Sequence, residues 1–214
     1  MKYLIIPVTP FQQNCTLLWC DATKKAAVVD PGGNLERIQA ELTRQGVTLD
    51  KILLTHGHID HVGGAKQLAD ATGVKIYGPH IADKFLFEEL PHQSQTFGFP
   101  QCGSFEPDQY LEDGNRLSLG DMEIKVLHCP GHTPGHVVFY HQDTDMALVG
   151  DVLFRGSIGR TDFPGSNHGQ LLKSITGKLW PLGNQVTFIP GHGPVSTFGE
   201  ERRSNPFVAD QLFD

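Results

Sequence analysis

Residues 52–64 of this 214-residue chain read Ile-Leu-Leu-Thr-His-Gly-His-Ile-Asp-His-Val-Gly-Gly, and this stretch restricts the possible folds more than any other. A short apolar strand, Lys51 to Leu54, ends in a loop that carries four potential metal ligands, His56, His58, Asp60 and His61, and a helix is expected from Ala65 to Ala71. Imidazole nitrogen and carboxylate oxygen suit zinc. The cluster holds no cysteine, which argues against a closed structural site and for one with a position open to water. Four donors on one short loop cannot all face a single ion without strain. Their alternation predicts two ions, with His56 and His58 on one and Asp60 and His61 on the other.

Three more candidates follow later apolar runs, each with glycine just before it: Pro130-Gly131-His132, Gly150-Asp151 and Pro190-Gly191-His192. Glycine lets the backbone pass close to a crowded site. A carboxylate such as Asp151 can bridge two ions, and His132 and His192 would then complete the first and second sets. The remaining histidines read differently. His80, His92 and His141 are expected to be ordinary hydrogen-bonded or surface residues, and His128, His136 and His168 are not expected to ligate directly, His136 being a partner to the ligands or simply core.

The rest of the pattern predicts strands at Lys2 to Val8, Cys15 to Cys20 and Ala26 to Asp30, closing on Pro31-Gly32-Gly33. Asn34 then caps an amphipathic helix with Leu35, Ile38 and Leu42 on one face, stopped by Gly46. Lys75 to Tyr77 reads as a strand, Ile81 to Leu90 as a helix, and the Pro-, Gly- and Gln-rich segment Pro91 to Pro107 as an irregular surface loop. Strands follow at Arg116 to Leu119, Glu123 to Leu127, Val137 to Tyr140 and Met146 to Val149, then a helix from Gly169 to Leu179 and a strand from Gln185 to Ile189. Two sets of strands with attached helices predict two packed sheets with helices outside. The tail residues Pro206-Phe207-Val208 and Leu212-Phe213 are expected to pack back on the domain.

Composition excludes several partner classes. A chain of this length is expected to be one domain. At 39% hydrophobic and 19% charged residues it has no apolar run long enough to span a bilayer, and its N-terminus lacks the pattern of a signal peptide, so a cytoplasmic protein with no membrane partner is expected. A formal charge of −7 without clustered Lys or Arg argues against nucleic acid. Cys15, Cys20, Cys102 and Cys129 lack any C-x-x-C pairing and read as buried thiols.

Taken together, Thr-His-Gly-His-Ile-Asp-His, Pro-Gly-His-Thr-Pro-Gly-His, Gly-Asp and Pro-Gly-His-Gly-Pro resemble the metallo-β-lactamase superfamily in order and spacing, across nearly the whole chain. Within it the sequence is similar to the hydroxyacylglutathione hydrolases, or glyoxalase II, of the short bacterial type I branch. The resemblance implies an α+β fold, a four-layer αββα sandwich with metals at one edge. It also implies that His56, His58 and His132 hold one ion, that Asp60, His61 and His192 hold the other, and that Asp151 bridges them. Asp151 argues against antibiotic hydrolysis, since β-lactamases of this superfamily carry Cys or Ser there. His58 argues against the di-iron flavoprotein branch, which carries Glu, and RNA-processing members have added domains. Long glyoxalase II enzymes also have a C-terminal helical domain with glutathione contacts, whereas only residues 193–214 follow His192 here, so residues 1–214 are read as one domain lacking it.

The expected activity is hydrolysis of a thioester, with S-lactoylglutathione giving D-lactate and glutathione as the type reaction. A hydroxide held between two divalent ions attacks the carbonyl, Asp60 orients it, and the thiolate leaves without a strong protein acid. The ions are expected to be zinc, with iron and manganese accepted by the same donors. Arg160, in Gly159-Arg160-Thr161-Asp162-Phe163, has two open readings: it grips a substrate carboxylate, or it pairs with Asp162 to shape the loop. The same segment resembles the persulfide dioxygenases, which share the fold and use one iron. That makes a single-iron oxidoreductase using His56, His132 and Asp151 the rival enzyme, and a non-catalytic metal-stabilised binding module the third reading.

Overall fold

The computed structural model describes residues 1–212. Five strands, β1 (Lys2–Val8), β2 (Gln13–Trp19), β3 (Lys25–Val29), β4 (Thr48–Leu53) and β5 (Ile76–Tyr77), form one sheet in sequence order. The first three pair antiparallel, and β4 and β5 join in parallel. Parallel neighbours need crossovers. These are α1 (Leu35–Gln45) between β3 and β4, and α2 (Ile59–Val62) with α3 (Ala65–Thr72) between β4 and β5. Two further helices, α4 (Lys84–Glu88) and α5 (Leu90–Phe97), follow β5.

The second sheet repeats this scheme. Strands β6 (Arg116–Leu119), β7 (Met122–His128), β8 (Val137–His141) and β9 (Met146–Gly150) form an antiparallel meander. The chain then makes a small hairpin, β10 (Leu153–Phe154) and β11 (Ser157–Ile158), and crosses through α6 (His168–Ser174), which continues into a π-helical turn over Ile175–Leu179. It returns as β12 (Thr187–Pro190), parallel to β9, with β13 (Ser196–Thr197) antiparallel on the edge, and α7 (Phe198–Ser204) closes the fold.

The period of two along each strand builds the four layers. In the first sheet Leu17, Val28, Ile52 and Leu54 face a core completed by Ile38, Val62 and Leu68 of the helices. Their neighbours Leu18, Ala27, Val29 and Leu53 face the second sheet, meeting Leu117, Ile124, Val126, Val137, Phe139 and Leu148. On the far side of the second sheet Leu127, Val138, Ala147 and Val149 pack under Leu171, Ile175, Trp180 and Phe198. Strands buried on both faces carry continuous apolar runs, which is why periodicity alone shows strands here but not which face is which. Each large side chain removed from water contributes roughly 1.5–3 kcal/mol. The result is the αββα sandwich.

Several local expectations are corrected. Asn34 stands at the start of α1 but in a left-handed conformation, φ 50°, and its side chain makes no cap bond; its Oδ1 accepts the Thr9 N–H at 2.8 Å instead. Gly46, φ 62°, does end the helix, donating to the carbonyls of Leu42 and Thr43. The segment Pro91 to Pro107 is not all loop: α5 occupies its first part. Pro91 sits in the first turn, where a missing N–H leaves nothing unsatisfied. Buried Gln93 ties this helix down, accepting the Ile59 N–H at 3.0 Å and donating to the Leu86 carbonyl at 2.9 Å. Asp60 and His61 lie on the short helix α2 rather than on the loop. In the tail, Val208 is fully buried against the second helical layer, whereas Phe207 and Leu212 stay about half exposed; Phe213 lies outside the described residues. The four cysteines are free and buried, and no helix among the described residues is long and apolar enough to cross a membrane.

Candidate metal centre

The seven sequence-predicted ligands come from the ends of four strands, one in the first sheet and three in the second. His56, His58, Asp60 and His61 follow β4, His132 follows β7, Asp151 follows β9 and His192 follows β12. Backbone hydrogen bonds lock these ends across the sheets: the Val137 N–H to the Thr55 carbonyl at 2.8 Å, and the Asn14 N–H to the Gly191 carbonyl at 2.7 Å. β12 breaks register between Ile189 and Pro190, where the chain turns toward His192. Glycine is required at that turn, since a Cβ on Gly191 would stand 2.1 Å from Asp151 Oδ1 and 2.6 Å from His61 Cε1. Gly150 has φ 48° and packs against the His136 ring in the same way.

The side chains gather into two sets of three donors, His56 with His58 and His132, and Asp60 with His61 and His192; within each set the ligand atoms lie within 4.8 Å of one another. In the first set His58 Nδ1 is 3.0 Å from both His56 Nε2 and His132 Nε2. Two nitrogens on one zinc ion sit roughly 3.3 Å apart, so this is the crowding that a shared cation relieves. In the second set His192 Nε2 is 3.0 Å and His61 Nε2 3.6 Å from Asp60 Oδ2. Asp151 stands between the sets, its Oδ1 3.4 Å from His61 Nε2 and its Oδ2 3.7 Å from His132 Nε2 and 3.8 Å from His192 Nε2.

A different set of residues orients these donors. Buried Asp30, at the end of β3 with φ 53°, accepts from the Thr55 N–H at 2.7 Å, the Thr55 hydroxyl at 2.6 Å and His61 Nδ1 at 2.8 Å. Although Asp30 lies close to His56 and His61, its oxygens are already engaged, so it turns the His61 ring rather than offering a ligand. The Thr55 oxygen, having donated to Asp30, accepts from His56 Nδ1 at 3.0 Å. His132 Nδ1 donates to the Arg160 carbonyl at 2.9 Å and His192 Nδ1 to the Phe11 carbonyl at 3.2 Å. In each of these four rings the far nitrogen, Nε2, is left for the site. His136 lies beneath, stacked on His56 at 4.7 Å between centroids, and its Nε2 accepts the Asp151 N–H at 3.0 Å. It acts as a partner, as the sequence allowed.

Asp83, at the end of a 3₁₀ turn, joins the loops of the two sheets: it accepts from the Gly57 N–H at 3.0 Å, the Thr133 hydroxyl at 2.8 Å and the Gly135 N–H at 2.6 Å. Burial pushes its carboxyl up to about 6 despite these three donors. Asp30, Asp83 and Gln93 were missed as site residues in the sequence. Only Asp30 carried a signal, an acid closing an apolar run before Pro-Gly-Gly. Asp83 and Gln93 reach the site through pairings distant in sequence.

The residues fit metal ions. Burial holds the His56 imidazole well below its ordinary value and takes His58 down to about 3, keeping both neutral as ligation needs. Burial alone would push Asp151 up, but the His61, His132 and His192 rings override it and hold it ionised; in turn Asp151 and Asp60 raise His61 against its own burial. His61 Nε2 and Asp151 Oδ1 are among the six buried side-chain atoms of the described residues that have no hydrogen-bond partner. Buried polar atoms are normally paired. Two such atoms facing each other, beside carboxylates served only by imidazoles, are what a bound dication satisfies.

This centre forms the floor of a cleft of about 820 Å³. Arg160 stands on its rim, its guanidinium bonded to both Asp162 oxygens at 3.0 and 2.7 Å and 4.6 Å from the centre of the Phe163 ring.

A family model described as the metallo-β-lactamase superfamily matches residues 8–197. Over 97% of this chain and 98% of the relative, the sequence is 49% identical to the hydroxyacylglutathione hydrolase GloC of Haemophilus influenzae. Among solved structures, the BLEG-1 B3 metallo-β-lactamase superposes with a TM-score of 0.89 at 37% identity, covering 97% of this chain and 99% of that one. A di-iron-bound form of TTHA1623 superposes with a TM-score of 0.87 at 36% identity, covering 96% and 100%. The four-layer fold, the match over most of the length and the identities agree: the chain belongs to the metallo-β-lactamase superfamily and is a metal-dependent hydrolase.

Proposed function

We propose that residues 1–214 form one catalytic unit, a dinuclear thioester hydrolase whose type reaction is S-lactoylglutathione to D-lactate and glutathione. The observation that carries this is the pairing of two donor triads with Asp151 between them, at the floor of an open cleft. The names of the relatives support it, one being a hydroxyacylglutathione hydrolase and one a di-iron form. His56, His58 and His132 would hold one ion and Asp60, His61 and His192 the other, with Asp151 shared and zinc, iron and manganese all suited to these donors. When bound, the ions supply a water acidic enough to act as nucleophile at neutral pH and polarise the substrate carbonyl.

The chain does the rest by position. Asp60 faces the cleft with one oxygen 3.0 Å from His192, placed to orient the attacking water. Asp30, Thr55, Arg160 and Phe11 hold the ligand rings through their Nδ1 atoms. The departing thiolate is stable near neutral pH, so no protein acid is needed. Arg160 at the rim is bonded to Asp162 through Nε and Nη2, which supports the second of its two readings, a pair that shapes the loop. A single-iron site built on His56, His132 and Asp151 would leave the triad of Asp60, His61 and His192 without a role, which favours the dinuclear reading.

The test is turnover of S-lactoylglutathione with metal content measured on the same sample, beside O2 uptake with glutathione persulfide and opening of a β-lactam. Cleavage with about two metals per chain supports the proposal; O2 uptake with one iron, or β-lactam opening without thioester cleavage, replaces it. Asp151→Ala is expected to lower turnover by roughly a thousandfold or more and to reduce metal content.

A further inference from the structure

The walls of the cleft are unlike its floor. Phe11, Ile59, Leu86, Phe97, Phe154 and Phe163 line it, and outside the ligand set its acids and bases among the described residues are Glu89, His92 and Arg160. Glutathione carries two carboxylates. The one permanent cation here, Arg160, is bonded through Nε and Nη2 to Asp162, and Glu89 would repel them. Carboxylates brought to such walls would lose water without gaining partners.

The aromatic rings instead stand where the reacting group must lie. Phe163 is 5.0 Å from the His58 ring and 5.7 Å from the His132 ring, and Phe154 is 6.4 Å from His192. Phe11 meets Phe97 at 6.3 Å and Phe99 at 5.1 Å, both edge-on. Phe11 and Phe97 are each nearly half exposed, at 47% and 46%, so large apolar faces are left open to the cleft mouth. The Phe11 loop is built to hold this position. Thr9 and Gln12 on either side have φ of 63° and 54°, a left-handed conformation that costs a β-branched residue dearly, and Asn34 fixes the Thr9 N–H. The same loop gives its Phe11 carbonyl to His192, so one turn sets both the ring and a ligand.

We propose that the cleft selects its thioester by an aromatic-sized apolar group on the acyl side, seated on Phe11, Phe97, Phe154 and Phe163, rather than by the charges of the thiol. As a statement about turnover, this rests on the thioester-hydrolase reading.

Two non-reacting thioethers separate the parts. On metal-loaded protein, calorimetric titration is expected to show S-benzylglutathione binding about tenfold more tightly than S-methylglutathione, the effect of seating one aromatic ring on apolar walls. Phe11→Ala and Phe97→Ala are each expected to reduce that ratio roughly threefold or more. In turnover, kcat/KM for S-mandeloylglutathione is expected to exceed that for S-lactoylglutathione, and the same variants are expected to narrow the gap. Equal binding of the two thioethers, or variants that weaken both alike, overturns the proposal whatever the turnover. If neither thioester is cleaved while S-benzylglutathione keeps its advantage, the thioester-hydrolase reading falls and the apolar pocket stands.

Discussion

Asp83 shows how much one residue can carry without touching a substrate. Its carboxyl joins the Gly57 loop of the first sheet to Thr133 and Gly135 of the second, and burial raises it from an ordinary value of 3.8 to about 6. The folded state therefore binds this proton more tightly than the unfolded chain does. Unfolding free energy falls as pH rises from near 4 to about 6 and is flat above, a loss of about 3 kcal/mol from this group. Asp83→Asn cannot titrate. Urea unfolding of both proteins across pH 4 to 8 is expected to show this slope in the difference between them; a difference constant with pH would mean that Asp83 stays ionised.

At the scale of elements, the site depends on short pieces fixed by buried polar groups. Glu201 of α7, only 2% exposed, accepts from the Gly156 N–H at 2.8 Å, the Ser196 hydroxyl at 2.5 Å and the Asn205 amide at 2.8 Å. It thus ties the β10–β11 hairpin, and with it Phe154 of the cleft wall, to the last helix. Glu201→Ala leaves these donors without their acceptor and is expected to cost roughly 2–4 kcal/mol, read as a lower urea midpoint at unchanged slope. Metal content should hold, because no ligand comes from α7. Loss of metal in that variant would show that the hairpin and the centre fold as one unit.

Across the whole molecule, the proposed ions join two sheets that otherwise meet through an apolar core. Four candidate ligands hang from the first sheet and three from the second. Ions bound only by the folded state add stability by mass action, about 2.7 kcal/mol at a hundredfold excess over Kd. For a chain of this size that is roughly 5–10 °C in Tm. Chelation followed by scanning calorimetry is expected to lower Tm by that amount and re-addition of zinc to restore it; a Tm indifferent to chelator would remove the ions from the account of the fold.

What was legible in the sequence follows from local rules. Apolar runs, Gly-Pro punctuation and ligands spaced along one loop are short-range patterns, so the strands, the two-sheet plan and all seven candidate ligands could be read from them. The helix α5 over Leu90–Phe97 was hidden because composition suggested a loop from Pro91, while the deciding contact, Gln93 on Ile59, spans 34 positions. The brief strands β10, β11 and β13 are too short to show a period. The bracing by Asp30 and Asp83 and the aromatic walls of the cleft were decided only by tertiary structure. Each depends on which strand ends meet across the two sheets, and that is set by packing both faces of every strand at once.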